Sequence, residues 1–368
     1  MIDGKAALRA VVESARGRDG VGLDTELVWE RTFYPHLGVV QLSLSREECH
    51  LLDAPALGDL TLLGELLADG DAVKILHDAP QDLTILRRAT GAAPRRIFDT
   101  QAAAGFAGLS STISLRDLVR ELVGVELHKT ETRTDWLQRP LSDTQVQYAE
   151  DDVRYLPEIR RQLLDRARER GVEAWLEEEM RRLDDPALYE ERDPGEQYRR
   201  VKGAGRLDRR QLAVLRELAR WREEVARQQD RPRGRVATDG LLLHLAQRQP
   251  QRLEELAEVR GLRDRHVARY GEGLLAAVAR GLAMPVDECP PGPPRSRFDP
   301  GLEDRVDRAL SRLKDCSAAR GIDHALVATR AEVVQLMRRG AAAEGSRLLR
   351  GWRAEFVGND LLESGGRA

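Results

Sequence analysis

Strand-forming sequence is confined to the first hundred residues of this 368-residue chain, and this asymmetry restricts the possible folds most. Leucine spacing predicts a helix over 57–67, and Pro80 begins another helix that extends to Arg88. Strands that come first and then alternate with helices indicate a mixed sheet covered by helices. The predicted strands are short apolar segments over residues 21–27, 38–44, 49–53, 73–76 and 96–99.

From about residue 157 onward the apolar pattern is helical throughout. We therefore expect an α/β domain followed by all-α domains, in keeping with about 150 residues per domain. A proline-rich segment near 289–294 separates the last two helical blocks. The predicted divisions are a first domain over 1–165, a helical connector over 166–205, a helical domain over 206–286 and a second helical domain over 295–365.

The composition excludes several classes of protein. Hydrophobic residues make up 41% of the chain and charged residues 33%, a balance typical of globular rather than disordered proteins. No apolar run reaches the ~18 residues of a membrane helix, and no secretory leader is present, so we expect a cytoplasmic protein without a membrane partner. Three isolated cysteines argue against a disulfide framework or a cysteine zinc site: Cys49, Cys289 and Cys316.

Charge is distributed unevenly along the chain. Residues 1–156 carry a net charge of −8 and residues 206–284 a net charge of +6, although the whole chain carries only −3. An acidic first half followed by a basic helical block suits a cation-dependent site joined to a module that binds a polyanion. Ordinary variation of surface charge is the alternative.

Two carboxylates lie two residues apart in the first predicted strand. Asp24 and Glu26 therefore project from the same face of that strand, between apolar neighbours. Carboxylates buried in this way need a cation, and oxygen ligands without nearby nitrogen or sulfur suit Mg²⁺ or Mn²⁺. If this face is solvated, the pair has no such role.

Asp82 follows the fourth predicted strand and lies early in the next helix. A carboxylate in this position points into the crevice at the carboxyl end of the sheet. The alternative is that Asp82 simply complements the helix dipole. His77, directly after the strand, is a candidate substrate contact or a structural histidine held by hydrogen bonds.

Tyr148 and Asp152 lie four residues apart in a predicted helix and so share one of its faces. A phenol one helical turn before a carboxylate can orient a water molecule while the carboxylate holds a metal ion. Asp151 is a rival ligand that spacing alone does not exclude, and an ordinary pair of surface neighbours is the other alternative.

Several segments, taken together and in this order, resemble bacterial ribonuclease D of the DEDD exonuclease superfamily: LDTE, RTFYPHLGVVQLS, KILHDAPQDL, IFDTQ and LHKTETRTDWLQRPLSDTQVQYAEDDVRYL. Further on, RLDRRQLAVLRELARWREEVA, PQRLEELAEVRGL and RYGEGLL resemble the HRDC domain. The last block, with LLRGWRAEF, resembles a second and more diverged HRDC domain. The resemblance implies a ribonuclease H-like mixed sheet flanked by helices, followed by HRDC-type helical domains.

The resemblance also implies roles for particular residues. Asp24, Glu26, Asp82 and Asp152 would be ligands of two divalent metal ions, Mg²⁺ or Mn²⁺, and Tyr148 would orient and help to deprotonate the attacking water. The family pattern favours Asp152 over Asp151, because its last aspartate follows the tyrosine by four. Lys129 and Arg133, with His77, are candidate substrate contacts. Asp135, Trp136 and Arg139 belong to the same motif, and we expect Trp136 to pack in the core.

The implied activity is that of a 3′→5′ exoribonuclease that releases 5′-mononucleotides, with transfer RNA precursors and other small structured RNAs as substrates. A 3′→5′ DNA exonuclease is the first alternative, since the contacts to a 2′-hydroxyl cannot be located from sequence. A non-catalytic RNA-binding protein is the second. The HRDC-like domains are predicted either to bind RNA or to act as spacers, and we expect a monomer.

Overall fold

The computed structural model describes residues 1–127, 134–191, 193–292, 299, 301–339 and 345–358. They form two compact units, each made of segments that are separate in the sequence. The first comprises Met1–Val28, Leu37–Glu190 and the described residues beyond 300, and the second comprises Trp29–His36 and Glu191–Asp299. No helix in the described ranges is both long and apolar enough to cross a membrane.

A five-stranded mixed sheet with the order β3-β2-β1-β4-β5 forms the centre of the first unit. β1 pairs in parallel with β4, and β4 in parallel with β5, whereas β2 and β3 are antiparallel. All five strands confirm the sequence prediction, and their bounds differ from it by no more than two residues. The strands are β1 (Val21–Val28), β2 (His36–Ser43), β3 (Cys49–Asp53), β4 (Lys74–Leu76) and β5 (Ile97–Asp99).

Helices cover this sheet. They are α1 (Lys5–Ala15), α2 (Ala54–Leu57), α3 (Thr61–Leu67), α4 (Pro80–Thr90), α5 (Thr100–Phe106), α6 (Leu115–Val123), α7 (Asp143–Arg154), α8 (Leu156–Glu169) and α9 (Glu173–Arg181). The single helix predicted over 57–67 was wrong in one respect, because the chain turns between α2 and α3. Gly58 ends α2 with a φ of 66°, and Asp59 accepts a 3.0 Å hydrogen bond from the Thr61 backbone N–H.

The last helical block belongs to the same core as the sheet. It contains α15 (Leu302–Arg320), α16 (His324–Val327), α17 (Arg330–Arg339) and α18 (Gly351–Arg353). Trp352, only 1% exposed, packs edge-on against Phe106 and stacks on Trp175, with ring centroids 5.0 and 5.8 Å away. The boundaries predicted from sequence, with a connector over 166–205 and a domain from 295, therefore do not coincide with the compact units.

The second unit is all helical. It contains α10 (Arg209–Gln228), α11 (Arg233–Val236), α12 (Asp239–Arg248), α13 (Leu253–Ala257) and α14 (Asp264–Ala283). Phe33, from the connection between β1 and β2, is buried in this unit. The Arg233 guanidinium lies 4.4 Å from the centre of the Phe33 ring. The backbone N–H of Phe33 donates a 3.0 Å hydrogen bond to Asp230. An α/β unit and an all-α unit confirm the predicted fold class.

Candidate metal centre

Close packing of α7 on β1 brings the two halves of the acidic motif together. A Cβ at Gly22 would overlap the Ser43 hydroxyl and lie 2.9 Å from the Val153 carbonyl oxygen. Glycine at this position therefore lets α7 approach the strand that carries Asp24. The Ser43 hydroxyl donates a 2.7 Å hydrogen bond to the same Val153 carbonyl, which fixes the helix against the sheet.

Three carboxylates from these two elements form a cluster. Asp24 and Glu26 share one face of β1, as their spacing predicts, and Asp152 reaches them from α7. One oxygen atom from each side chain lies within 4.8 Å of the other two. Three hard oxygen donors at this separation can share a divalent cation such as Mg²⁺ or Mn²⁺.

Asp82 lies close to this cluster, in the first turn of α4. Its charge raises the pKa of both Asp24 and Glu26. The hydroxyl of Thr25 donates a hydrogen bond to Asp82, so β1 also holds the side chain of this fourth carboxylate. The fourth predicted ligand therefore approaches the other three from a separate element.

The cluster strongly resists ionisation. Burial is the main cause at every member, and the neighbouring carboxylates add to it at Asp24 and Glu26. The pKa of Asp24 is well above its usual range, that of Glu26 rises to about 9, that of Asp152 to about 7 and that of Asp82 to about 6. Among the described residues, no cationic side chain is a main influence that would lower these pKa values. The acidic group therefore fits an external cation.

Tyr148 contacts the cluster one helical turn before Asp152. Its hydroxyl donates a hydrogen bond to the Asp152 carboxylate, and this bond lowers the pKa of Asp152 against the larger effect of burial. Burial and the nearby carboxylates raise the pKa of Tyr148 far above that of a free phenol. In the metal-free protein the phenol is therefore protonated at neutral pH and serves as a hydrogen-bond donor to Asp152.

The neighbouring Asp151 has a different environment from Asp152. It accepts a 2.9 Å hydrogen bond from the Gln147 amide and a 3.3 Å bond from the Arg154 guanidinium. Asp151 does not belong to the cluster of oxygens that Asp152 joins. The geometry therefore distinguishes two aspartates between which helical spacing alone could not choose.

Of the three candidate substrate contacts, one lies among the described residues. His77 uses both ring nitrogens within the protein: Nδ1 lies 2.9 Å from the Thr100 hydroxyl, and Nε2 lies 3.0 Å from the Ile113 carbonyl oxygen. This arrangement supports the structural alternative for His77. Lys129 and Arg133 lie outside the described residues.

The remaining residues of that motif brace the fold. Trp136 is 2% exposed and packs beside Tyr148, with ring centroids 6.1 Å apart, as expected for a core residue. Arg139 makes two bonds to Asp53, of 2.6 and 2.9 Å, and donates to the carbonyl oxygens of Trp136 and Gly38. Its bonds lower the pKa of Asp53. Asp135 is exposed and accepts a bond from the Leu137 N–H.

Sequence reasoning missed two of these supporting residues. Thr25 alternates with the two carboxylates along β1, so the period of a strand assigns it to the opposite face. Asp53 was treated only as the end of a predicted strand. The bidentate pair that it forms with Arg139 joins positions 86 residues apart, and no local pattern indicates such a contact.

Known proteins match this architecture along the whole chain. The family model described as 3′-5′ exonuclease matches residues 1–167, and that of the HRDC domain matches residues 211–278. Ribonuclease D from Desulfotalea psychrophila is 44% identical over 95% of this chain and 94% of its own, and that from Pseudomonas paraeruginosa is 36% identical over 98% and 95%. The crystal structure of Escherichia coli RNase D, described as an exoribonuclease involved in structured RNA processing, has a TM-score of 0.89 and 31% identity, and covers 99% of this chain and 97% of its own.

Identity at this level extends through both units, and the exonuclease model ends beyond the last carboxylate of the cluster. The solved relative from Escherichia coli has the same fold as this chain. The chain therefore belongs to the ribonuclease D family and is a divalent-metal-dependent 3′→5′ exoribonuclease.

Proposed function

We propose that Asp24, Glu26, Asp82 and Asp152 hold two divalent ions, Mg²⁺ or Mn²⁺, at which the terminal phosphodiester of an RNA is hydrolysed. The observation that carries this proposal is the approach of three half-buried carboxylates, with one oxygen of each within 4.8 Å of the other two. Four carboxylates offset the charge of two such ions and leave the phosphate to complete the site. When bound, the ions supply a more acidic attacking water and neutralise charge on the leaving 3′ oxygen.

Tyr148 orients the attacking water in this proposal. Burial and the neighbouring carboxylates raise the pKa of its phenol in the metal-free protein, so the hydroxyl carries its proton there at neutral pH. One hydroxyl can donate to Asp152 and accept from a water molecule at the same time. Hydrolysis from the 3′ end releases 5′-mononucleotides and leaves a 3′-hydroxyl on the shortened chain.

The proposed substrates are small structured RNAs, among them transfer RNA precursors with 3′ trailers. The solved relative from Escherichia coli is described as acting in structured RNA processing, which supports this class of substrate. The test is an assay on matched RNA and DNA oligonucleotides with free and blocked 3′ ends, with and without chelator. We expect cleavage only of RNA with a free 3′ end and only with metal, and equal cleavage of DNA would contradict the proposal.

Paired substitutions on α7 test the ligand assignment. Asp152→Asn should lower hydrolysis by about 10³-fold or more, because metal-ion catalysis contributes several kcal/mol. Asp151→Asn, the matched control one residue earlier, should retain most activity, since Asp151 contacts Arg154 rather than the cluster. Equal activity of the two variants would overturn the assignment.

The second unit offers a basic surface for the RNA. His244, Gln247, Arg248, Val259 and Arg260 line a cleft of about 460 Å³, and both of these arginines are exposed. Phosphate groups bind such a surface by displacing counterions, so binding weakens steeply as salt rises. We propose that this cleft holds the RNA backbone rather than serving as a spacer surface.

The double substitution Arg248→Gln with Arg260→Gln tests this surface. Loss of two phosphate contacts should reduce the slope of log affinity against log salt by about 1.4 for single strands. Arg161→Gln is the control, because Arg161 is exposed in the first unit and lies 3.5 Å from Asp165. An unchanged slope in the double variant would assign the helical unit to the spacer role.

A further inference from the structure

Gln41 is a fully buried amide whose polar atoms have no hydrogen-bond partner among the described residues. The exposed fraction of Gln41 is 0%. Both its side-chain nitrogen and its side-chain oxygen lack a hydrogen-bond partner among the described residues. A buried polar group without a partner costs stability, so its presence in the middle of β2 calls for a physical reason.

The contact between Gly22 and Ser43 implies a register of β1 and β2 that sets Gln41 beside Asp24. β1 and β2 are neighbours in the sheet and are joined by the short connection over 29–35, so they run antiparallel. The Ser43 hydroxyl lies where a Cβ on Gly22 would project, so these two residues face each other. A Gly22–Ser43 pair sets Asp24, two residues later on β1, opposite Gln41, two residues earlier on β2. Both side chains then lie on the same side of the sheet.

Several described neighbours of Gln41 on that side offer it no free polar group. Leu51, its partner on β3, and Val39 belong to an apolar cluster with Ala149 of α7. The Ser43 hydroxyl donates to the Val153 carbonyl. Asp24 is the carboxylate that a Gly22–Ser43 pair sets opposite the amide.

We infer that Gln41 is a positioning residue for Asp24, an inference that rests on the proposed role of Asp24 as a metal ligand. A carboxylate that gives one oxygen to a cation has a second oxygen that can accept a hydrogen bond, and the Nε2 amide of Gln41 is a donor without a partner among the described residues. The two side chains are not hydrogen-bonded in the described structure, so under this inference Asp24 and Gln41 would bond to each other when a cation is bound. Gln41 thereby orients a ligand without touching the RNA.

The test is titration of Mn²⁺ into the full chain, followed by calorimetry and by electron paramagnetic resonance, which need no turnover. Gln41→Met keeps an unbranched side chain of similar length and removes the amide. We expect it to weaken Mn²⁺ binding by about tenfold or more. The melting temperature of the metal-free protein should stay unchanged or rise, because an unpaired buried amide is removed.

Two further variants separate the possible outcomes. Tyr189→Phe should lower the melting temperature and leave Mn²⁺ affinity unchanged, since the buried Tyr189 hydroxyl donates to the Leu183 backbone carbonyl, at 2.6 Å, and not to the cluster. Asp24→Asn should remove most of the Mn²⁺ binding, and if it does not, the proposed metal site itself fails. If Asp24→Asn acts as expected but Gln41→Met binds Mn²⁺ like the unaltered chain, or lowers the metal-free melting temperature, only the role of Gln41 is overturned.

Discussion

Glu26 illustrates, at the scale of one residue, how the site opposes the stability of the fold. Burial and two neighbouring aspartates raise its pKa to about 9, so at neutral pH the metal-free fold holds a proton that the unfolded chain releases. A carboxyl group whose pKa is raised by folding stabilises the protein most below its unfolded pKa. That contribution is lost as the pH rises toward the folded value.

The stability of the metal-free protein should therefore fall as the pH rises from about 5 to 9. Asp82 and Asp152, with pKa values raised to about 6 and about 7, contribute over the lower part of this range. Calorimetric melting in chelator across this range measures the effect, and Mg²⁺ should raise the melting temperature more at pH 8.5 than at pH 5.5. Glu26→Gln should flatten the dependence above pH 7, and an unchanged profile would contradict the pKa assignment.

Replacing Tyr148 with phenylalanine should separate catalysis from metal binding. The ring would keep its packing against Trp136, but the hydroxyl that orients water and bonds to Asp152 would be lost. We expect turnover to fall by about 10²-fold or more, with Mn²⁺ affinity within about tenfold of the unaltered chain. Because that bond lowers the pKa of Asp152, the acid limb of the pH–rate profile should also move to higher pH. Turnover near that of the unaltered chain would remove Tyr148 from the mechanism.

At the scale of elements, Arg139 ties the segment before α7 to the sheet. Its guanidinium binds the Asp53 carboxylate at the end of β3 and three backbone carbonyls, one of them that of Gly38 in β2. Trp136, which packs beside Tyr148, lies in the same short segment. The position of Tyr148, the proposed water-orienting residue, thus depends on a planar guanidinium whose several bonds a single ammonium group cannot reproduce.

Arg139→Lys should lower the free energy of unfolding by about 2–3 kcal/mol, because several bonds to a charged group are lost. Denaturant titration measures this change. Arg116→Lys is the matched control, since Arg116 lies 4.0 Å from Glu126 on the surface, and its effect should be below about 0.5 kcal/mol. Similar losses in both variants would show that the fork geometry is unimportant.

Elements and ligands could be predicted where the physical cause is local. The spacing of two residues in β1 predicted that Asp24 and Glu26 share one face of the strand. The spacing of four residues in α7 predicted that Tyr148 and Asp152 share one face of the helix, and the structure has both pairs so placed. Asp82 could be placed only by its position after a strand and by the family resemblance. Thr25 and Gln41 could not be assigned, because their roles depend on register and on contacts between elements that no short segment encodes.

At the scale of the whole molecule, the last helical block completes the first unit. Trp352 contacts Phe106 and Trp175, and Glu179 binds both its indole N–H, at 3.0 Å, and Arg353, at 2.6 Å. Burial opposes ionisation of Glu179, but these bonds outweigh it and hold its pKa below the usual range. The helical apolar pattern of the sequence predicted the helices of this block but not their partners, since an apolar face does not specify which surface covers it.

Trp352→Ala should lower the free energy of unfolding by about 3–5 kcal/mol, as expected for a large aromatic residue lost from a core. Trp29→Ala is the matched control for stability, because Trp29 is 66% exposed, and its effect should be small. Urea titration measures both variants. A small effect of Trp352→Ala would show that the last block is only loosely attached. A truncation at residue 299 would remove this packing, so RNA binding by the second unit must be tested with point substitutions.

The position of Trp352 also has a consequence for synthesis. All the proposed ligands are translated by residue 152, and the sheet with its own helices is translated by about residue 190. At 5–20 residues per second, the ribosome needs roughly 10–30 s more to reach residue 352. During that interval Phe106 and Trp175 lack their partner, so the nascent chain carries an unfinished nuclease beside ribosomal and messenger RNA. The domain that cuts RNA is thus completed among the last, when most of the chain has left the ribosome.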